Sequence, residues 1–243
     1  MHPASDIDTL SHPRSVPVTR AFAWFSTAMS LFKRAPGRWS MLAAISICLE
    51  LALQIVPGVG IALSKVLIPV VASGLLVAAE AVDRGKPLDM RYALVAFGAP
   101  VSALAAIIGS ELLVFLSEWL AGYSLAGINL LDSGGEAPPD ISLGLLLQIL
   151  TVGMLVSLPV VFVPFAALFE GAPFGAAFAM SWRAFFLNQG ALLVYGVLSL
   201  ALIGIGMMSM GIGLIIAVPL IAAASYAAWK DIFTDAPGGP AAV

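Results

Sequence analysis

Charge is what this chain has least of. Its 243 residues include eleven Lys or Arg and fourteen Asp or Glu, 10% of the total, where soluble globular proteins average about 25%. A soluble domain of this length must cover its surface with polar groups, and so few charged side chains exclude one. Cysteine and histidine are nearly absent too. The single cysteine, Cys48, excludes a disulfide within the chain. Both histidines, His2 and His12, lie in the N-terminal tail, which excludes a Cys/His metal site on counting alone. The net charge of −3 comes without any basic block of the kind that binds nucleic acid. Gly-x-Ser-x-Gly and Walker-type motifs are missing, and Cys48 has no partner base in sight. No cofactor is expected, and the chain reads as non-enzymatic.

Apolar residues are what is there, 60% of the chain, with a mean hydropathy of +1.03. Spanning a hydrocarbon core of about 30 Å takes roughly 20 apolar residues. Spans are expected at 39–56, 61–82, 92–120, 141–168, 190–208 and 211–229. The first two are joined by Pro57-Gly58-Val59-Gly60, a tight turn, and the last two meet around 204–213 with almost no loop. The first long apolar run starts too late for an ordinary signal peptide, so the first span is expected to remain in the mature protein.

Basic residues set the expected orientation. Arg14, Arg20, Lys33, Arg34 and Arg38 precede the first span, Arg84, Lys86 and Arg91 follow the second, Arg183 precedes the fifth and Lys230 follows the sixth. The loop between the third and fourth spans, 121–140, has no Lys or Arg but carries Asp132, Glu136 and Asp140. Ten of the eleven basic residues therefore share one side. This places both termini in the cytoplasm and favours an even number of spans.

Two segments outside the spans are amphipathic. In 18–35, Phe22, Phe25, Met29 and Phe32 recur at helical spacing opposite Arg20, Lys33 and Arg34. In 173–187, Phe174, Phe178, Trp182 and Phe185 do the same. Both suit a helix lying in the headgroup layer; for the first, the competing reading is a short helix packed on the end of the bundle. Each precedes a hairpin, which suggests a duplicated unit. The expected organisation is thus a disordered cytoplasmic tail (1–17), an interfacial helix (18–35), a six-span domain (36–233) and a C-terminal tail (234–243).

The stretch Gly211-Ile212-Gly213-Leu214-Ile215-Ile216-Ala217-Val218-Pro219, followed by Ser225-Tyr226-Ala227-Ala228-Trp229-Lys230-Asp231-Ile232-Phe233, resembles an uncharacterised family of small multi-spanning proteobacterial inner-membrane proteins. So does the N-terminal series Trp24, Leu31-Phe32, Pro36 and Trp39. A looser likeness links the chain to the membrane domain fused to some glycerophosphodiester phosphodiesterases, whose catalytic domain is missing here. The resemblance implies class and a bacterial inner-membrane location, and carries over no functional residues.

Ionisable groups inside spans are costly, at least about 2.5–3.5 kcal/mol each at a helix centre, and so are the candidate site. Glu50 in the first span and Lys65 in the second lie within about 3 Å of equal depth by helical rise, which fits an ion pair across the hairpin. Glu111 is expected roughly 14 Å from the periplasmic edge, with Glu118 two turns on along the same face. Gln148, with Gln54, falls in the same half. Two readings compete for this cluster. In one it is structural, with Glu50 and Lys65 paired. In the other, Glu111 and Glu50 are protonatable or cation-binding carboxylates on a translocation path, helped by helices broken at Pro69, Pro100, Pro159, Pro164 and Pro219.

The sequence thus reads as an all-α, polytopic transmembrane bundle of about six helices with two amphipathic interfacial helices. Its expected partner is the lipid bilayer, with no nucleic acid and with any protein partner or transported substrate unspecified. The expected role is non-enzymatic (structural, envelope-related or partner-binding), with a small transporter or channel as the alternative.

Overall fold

Proline positions and the apolar runs between them set the element order. The computed structural model describes residues 10–56, 59–129 and 142–234, and every regular element among them is helical. Residues 1–9, Pro57 and Gly58 of the first turn, the loop 130–141 with Asp132, Glu136 and Asp140, and the tail 235–243 lie outside the described residues.

Helices α1 (Arg20–Arg34), α2 (Pro36–Gln54) and α3 (Gly60–Asp83) come first, and α2 and α3 pack as a hairpin. A one-turn helix, α4 (Tyr92–Val95), leads to α5 (Val101–Ala126), which packs on α6 (Leu143–Ser157). Then follow α7 (Val163–Phe169), α8 (Phe174–Leu187), and a second hairpin of α9 (Gln189–Met208) and α10 (Leu214–Trp229), which ends in a π-helical turn, Lys230–Thr234. α10 touches α1, α2, α3 and α9. Its buried residues Ala217, Ala223, Ala224, Ala227 and Ala228 are small, so neighbouring backbones come close.

Five of these segments are long and apolar enough to cross a membrane: Gly60–Asp83, Val101–Ala126, Gly144–Phe169, Gln189–Met208 and Leu214–Phe233. That is the architecture an integral membrane protein requires. α2 has 19 residues but is less apolar, because Arg38, Glu50 and Gln54 fall within it. The outer surface carries Leu51, Leu63, Leu112, Leu116, Val197 and Ile205 exposed, a distribution that suits lipid and not water.

The third span starts later than expected. The helix expected from residue 92 breaks at Ala99, whose ψ of 155° is extended. The residue before a proline is pushed out of the helical region, and Pro100 does this here. α4 folds back on α3, where Gly74 has no side chain to collide with the Tyr92 carbonyl.

The fourth span is discontinuous. A 3-10 turn at Leu158–Val160 separates α6 from α7, with Pro159 and Pro164 flanking the break. Freed backbone groups must find partners inside the protein when lipid surrounds it. Ser181 of α8 supplies them: its hydroxyl accepts from the Phe162 N–H (3.1 Å) and donates to the Pro159 carbonyl (2.8 Å).

Helices α1 and α8, the two segments expected in the headgroup layer, each bury one face against the bundle. α1 buries Ala21, Trp24, Ala28 and Leu31 against the bundle, while Phe22 and Met29 are exposed. It lies across the bundle end, from Asp231 after α10 to Val82 of α3. α8 likewise buries Ala177, Met180, Ser181 and Ala184 and leaves Phe174, Trp182 and Phe186 exposed. Each stripe is divided, since Phe25, Phe32, Phe178 and Phe185 pack partly buried against the core while the other members face outward. The two units also differ in packing, because α1 lies on α10 whereas α8 lies on α5 and α7.

Residues 10–17 form no regular element and make several contacts with the bundle. Leu10 is buried, the Ser11 N–H donates to Glu170 (2.9 Å), and the Val16 N–H donates to the Asn188 amide oxygen (2.7 Å). A chain with this many fixed backbone bonds is held by its partners, whatever its own composition.

Replacing Ser181 by Ala strips both bridging bonds and leaves two buried backbone groups without them. Ser181→Ala is expected to lower stability by about 1–3 kcal/mol, read as a lower midpoint of thermal unfolding in detergent. An unchanged midpoint would mean that the break is held by other contacts.

Candidate functional site

The α2–α3 hairpin brings Glu50 and Lys65 together. Glu50 Oε1 lies 3.3 Å from Lys65 Nζ and also accepts from the Ser64 hydroxyl (3.2 Å) and the Gln54 amide (2.8 Å). Lys65 Nζ further sits 5.1 Å from the centre of the Phe115 ring on α5, a cation–π contact across the helices. Both charged side chains are only partly exposed, and each meets the other's charge, which lowers the cost of holding them at this depth.

Because α5 runs on to Ala126, Glu111 is farther from the C-terminal end of its helix than the expected 14 Å. It is 15 residues from the C-terminal end of the helix, about 22 Å along the axis. It makes no hydrogen bond among the described residues. It lines a cleft of about 320 Å³ together with Pro69, Ser73, Ser110 and Pro164. The cleft has little free polarity, since the Ser73 hydroxyl donates to the Pro69 carbonyl (2.7 Å) and the Ser110 hydroxyl to that of Ile107 (2.8 Å).

Glu118 lines a neighbouring cavity of about 200 Å³, and Ile203 and Ile221 border both spaces. The Glu118 carboxylate lies against the α-carbon of Gly153 on α6, where any side chain would displace it. Gln148 does not join this group: it is exposed on α6 and lines neither cavity. Of the five residues of the expected cluster, Glu50, Lys65, Glu111 and Glu118 lie within electrostatic range of one another, with Glu50 and Lys65 directly paired, and Gln148 stands apart. No three His, Cys, Asp or Glu among the described residues are grouped to hold a metal ion.

The densest polar network is elsewhere, at the end of the bundle that carries Arg14, Arg20 and Lys230. Asp231, 3% exposed, receives Arg14 Nη2 on Oδ1 (2.6 Å) and both Arg20 Nε (2.6 Å) and Trp24 Nε1 (2.8 Å) on Oδ2. The Arg14 N–H donates to the Ile232 carbonyl (2.9 Å) and Arg14 Nε to the Asp231 carbonyl (2.7 Å). Asn188 adds a bond to the Arg14 carbonyl (3.0 Å). Beside it, Asp83 accepts from the Tyr226 hydroxyl (2.9 Å) and from Lys230 (2.8 Å). An aromatic group backs the network: the Trp229 ring stacks on Phe233 (4.0 Å) and Phe165 (5.5 Å), and Phe162 packs edge-on to Phe233 (5.6 Å). Nothing in the spacing of residues 14, 20, 24 and 231 links them. The available signal was an acid directly after an apolar span, followed by Ile232 and Phe233.

Two outcomes follow. In a cycle of Glu50→Gln and Lys65→Gln, each single change is expected to cost about 1–3 kcal/mol by leaving one charge unpaired, with the double change costing less than the sum; strictly additive losses in detergent unfolding would show that the two do not interact. Asp231→Ala should cost about 2–3 kcal/mol, below the value for a fully buried pair because both arginines reach solvent, and should expose 10–19 to limited proteolysis. Unchanged cleavage would remove the network's anchoring role. Comparison with known proteins finds no matching family model, no matching curated protein and no matching solved structure.

Proposed function

We propose that the protein is a six-span inner-membrane protein with both termini cytoplasmic and a non-enzymatic, structural or partner-binding role. The observation that carries this reading is the Glu50–Lys65 pair. It matches Glu50, one of the two carboxylates a path would use, with a cation, and it makes α2 a credible sixth span, since a paired charge is cheaper to hold in lipid than a lone one. With six spans, the basic residues of the tail, of the loop after α3 and of the end of α10 share one side, which the charge rule assigns to the cytoplasm. The likeness to an uncharacterised inner-membrane family points to the same location. The exposed rings of Phe22, Phe174, Trp182 and Phe186 on α1 and α8 suit the headgroup layer of that leaflet.

A small transporter is the second reading, and one observation favours it. Glu111 lies near the middle of α5, without a hydrogen-bond partner among the described residues, beside a cleft bordered by Pro69 inside α3 and Pro164 in the first turn of α7. Against it stands the apolar lining of that cleft, which offers a moving ion few oxygen ligands.

Proton flux in proteoliposomes loaded with a pH dye separates the two. On the structural reading, wild type and Glu111→Gln both match empty liposomes. Flux in wild type that disappears in a folded Glu111→Gln protein would transfer the conclusion to transport.

A further inference from the structure

An unassigned cleft lies at the basic end, between the start of α2 and the loop that follows α3. It measures about 610 Å³, and Arg34, Arg38 and Lys86 line it, with Gly37, Gly85 and Pro87 among its walls and no acidic residue. Acidic neighbours exist, but each already holds a cation: Glu80 holds Arg84 (2.9 Å), Asp83 holds Lys230 (2.8 Å) and Asp89 holds Arg91 (3.2 Å). The Arg91 backbone N–H, with the guanidinium behind it, keeps the exposed Asp89 carboxyl below the usual carboxylate range, so this acid stays charged and stays matched. Among the described residues Arg34, Arg38 and Lys86 form no direct ion pair with a carboxylate, although Asp83 and Asp89 lie close enough for their charge to act on Arg34 and Arg38.

The two guanidiniums are oriented from behind. Arg34 Nη1 donates to the Val82 carbonyl (2.9 Å) and Arg38 Nη1 to the Leu88 carbonyl (3.1 Å). A guanidinium has five N–H donors in a fixed fork, so each arginine keeps most of its donors for a ligand while one bond fixes its plane. No side chain caps the first turn of α2, which adds the positive end of a helix dipole to the same place. In depth, the cleft sits where α2 enters its apolar stretch and α3 leaves its own, at the boundary between hydrocarbon and headgroups.

We propose that this cleft binds a phosphate-bearing anion, held by Arg34, Arg38 and Lys86 at headgroup level. Oriented forks suit the paired oxygens of a phosphate, and Lys86 adds a mobile point charge. The phosphate comes either from an anionic lipid of the surrounding leaflet or from solution. Assigning the leaflet as cytoplasmic rests on the topology proposed above, whereas the charge recognition does not.

The test uses the full chain purified in a non-ionic detergent and native mass spectrometry. Phosphatidylglycerol and phosphatidylcholine of equal chain length are added separately, and inorganic phosphate is then added as a competitor. Wild type is expected to retain phosphatidylglycerol in preference to phosphatidylcholine, or to bind inorganic phosphate directly. Arg38→Gln combined with Lys86→Gln should weaken binding roughly 30-fold, about fivefold for each cation. Lys86→Gln alone, which removes no internal hydrogen bond, should weaken it about fivefold with an unchanged unfolding midpoint. Lys33→Gln, a nearby cation outside the cleft, should leave binding intact. Displacement of the lipid by millimolar phosphate assigns a free phosphate, and retention assigns a lipid headgroup. Equal retention of both lipids without phosphate binding, a double variant that binds like wild type, or an equal loss in Lys33→Gln overturns the proposal. Labelling of Lys86→Cys with an impermeant maleimide, in a Cys48→Ala background, reads the topology separately. Reaction in intact spheroplasts would refute the cytoplasmic assignment and leave the binding result standing.

Discussion

Asp231 is the group on which the basic end of the molecule depends. A carboxylate this buried must be matched by charge and by hydrogen bonds, and its matches come from three places in the first 24 residues: Arg14, Arg20 and Trp24. The N-terminal segment is thereby tied to the end of the last long helix. With that tie in place α1 lies across the bundle, its Trp24 and Phe25 rings against Tyr195 of α9. Its C-terminal Arg34 then reaches the carbonyl of Val82. The basic cleft follows from the same arrangement, because α1 delivers the chain to α2 with Arg34 and Arg38 facing the loop after α3.

A second constraint, the absence of water along the spans, accounts for the rest. Where prolines break the fourth span, Ser181 comes from another helix to satisfy the exposed backbone. Where a carboxylate enters α2, Lys65 meets it. Most span hydroxyls are spent on their own helix, as Ser73, Ser110, Ser117 and Ser157 show. Glu111 and Glu118 depart from this economy, and they border the two spaces between α5 and the second hairpin.

Much of this was legible in the residues, and the parts that were not have identifiable causes. Pairing of Glu50 with Lys65 could be read from equal depth on either side of a glycine turn, since helical rise fixes axial position. Pro100 was read as a kink inside a span, yet it ends one helix and starts another; an isolated proline does not reveal which will happen, because neighbouring packing chooses. Periodicity identifies the aromatic stripes of α1 and α8 but does not say which members meet the bundle, and packing divides each stripe, with Phe25, Phe32, Phe178 and Phe185 against the core and the rest outside.

Composition by itself determined that the chain is helical and built for lipid, because a chain with so few charges and such long apolar runs can satisfy its backbone only with internal hydrogen bonds. The spacing of basic residues likewise fixed which segments share an end. Only the tertiary structure decided that residues 14, 20, 24 and 231 form one network, that Gln148 stands apart from the carboxylates, and that Arg34, Arg38 and Lys86 line one cleft. Such contacts join residues up to about two hundred positions apart, and they depend on how helices rotate and pack against one another, which side-chain volumes settle together and no local pattern records.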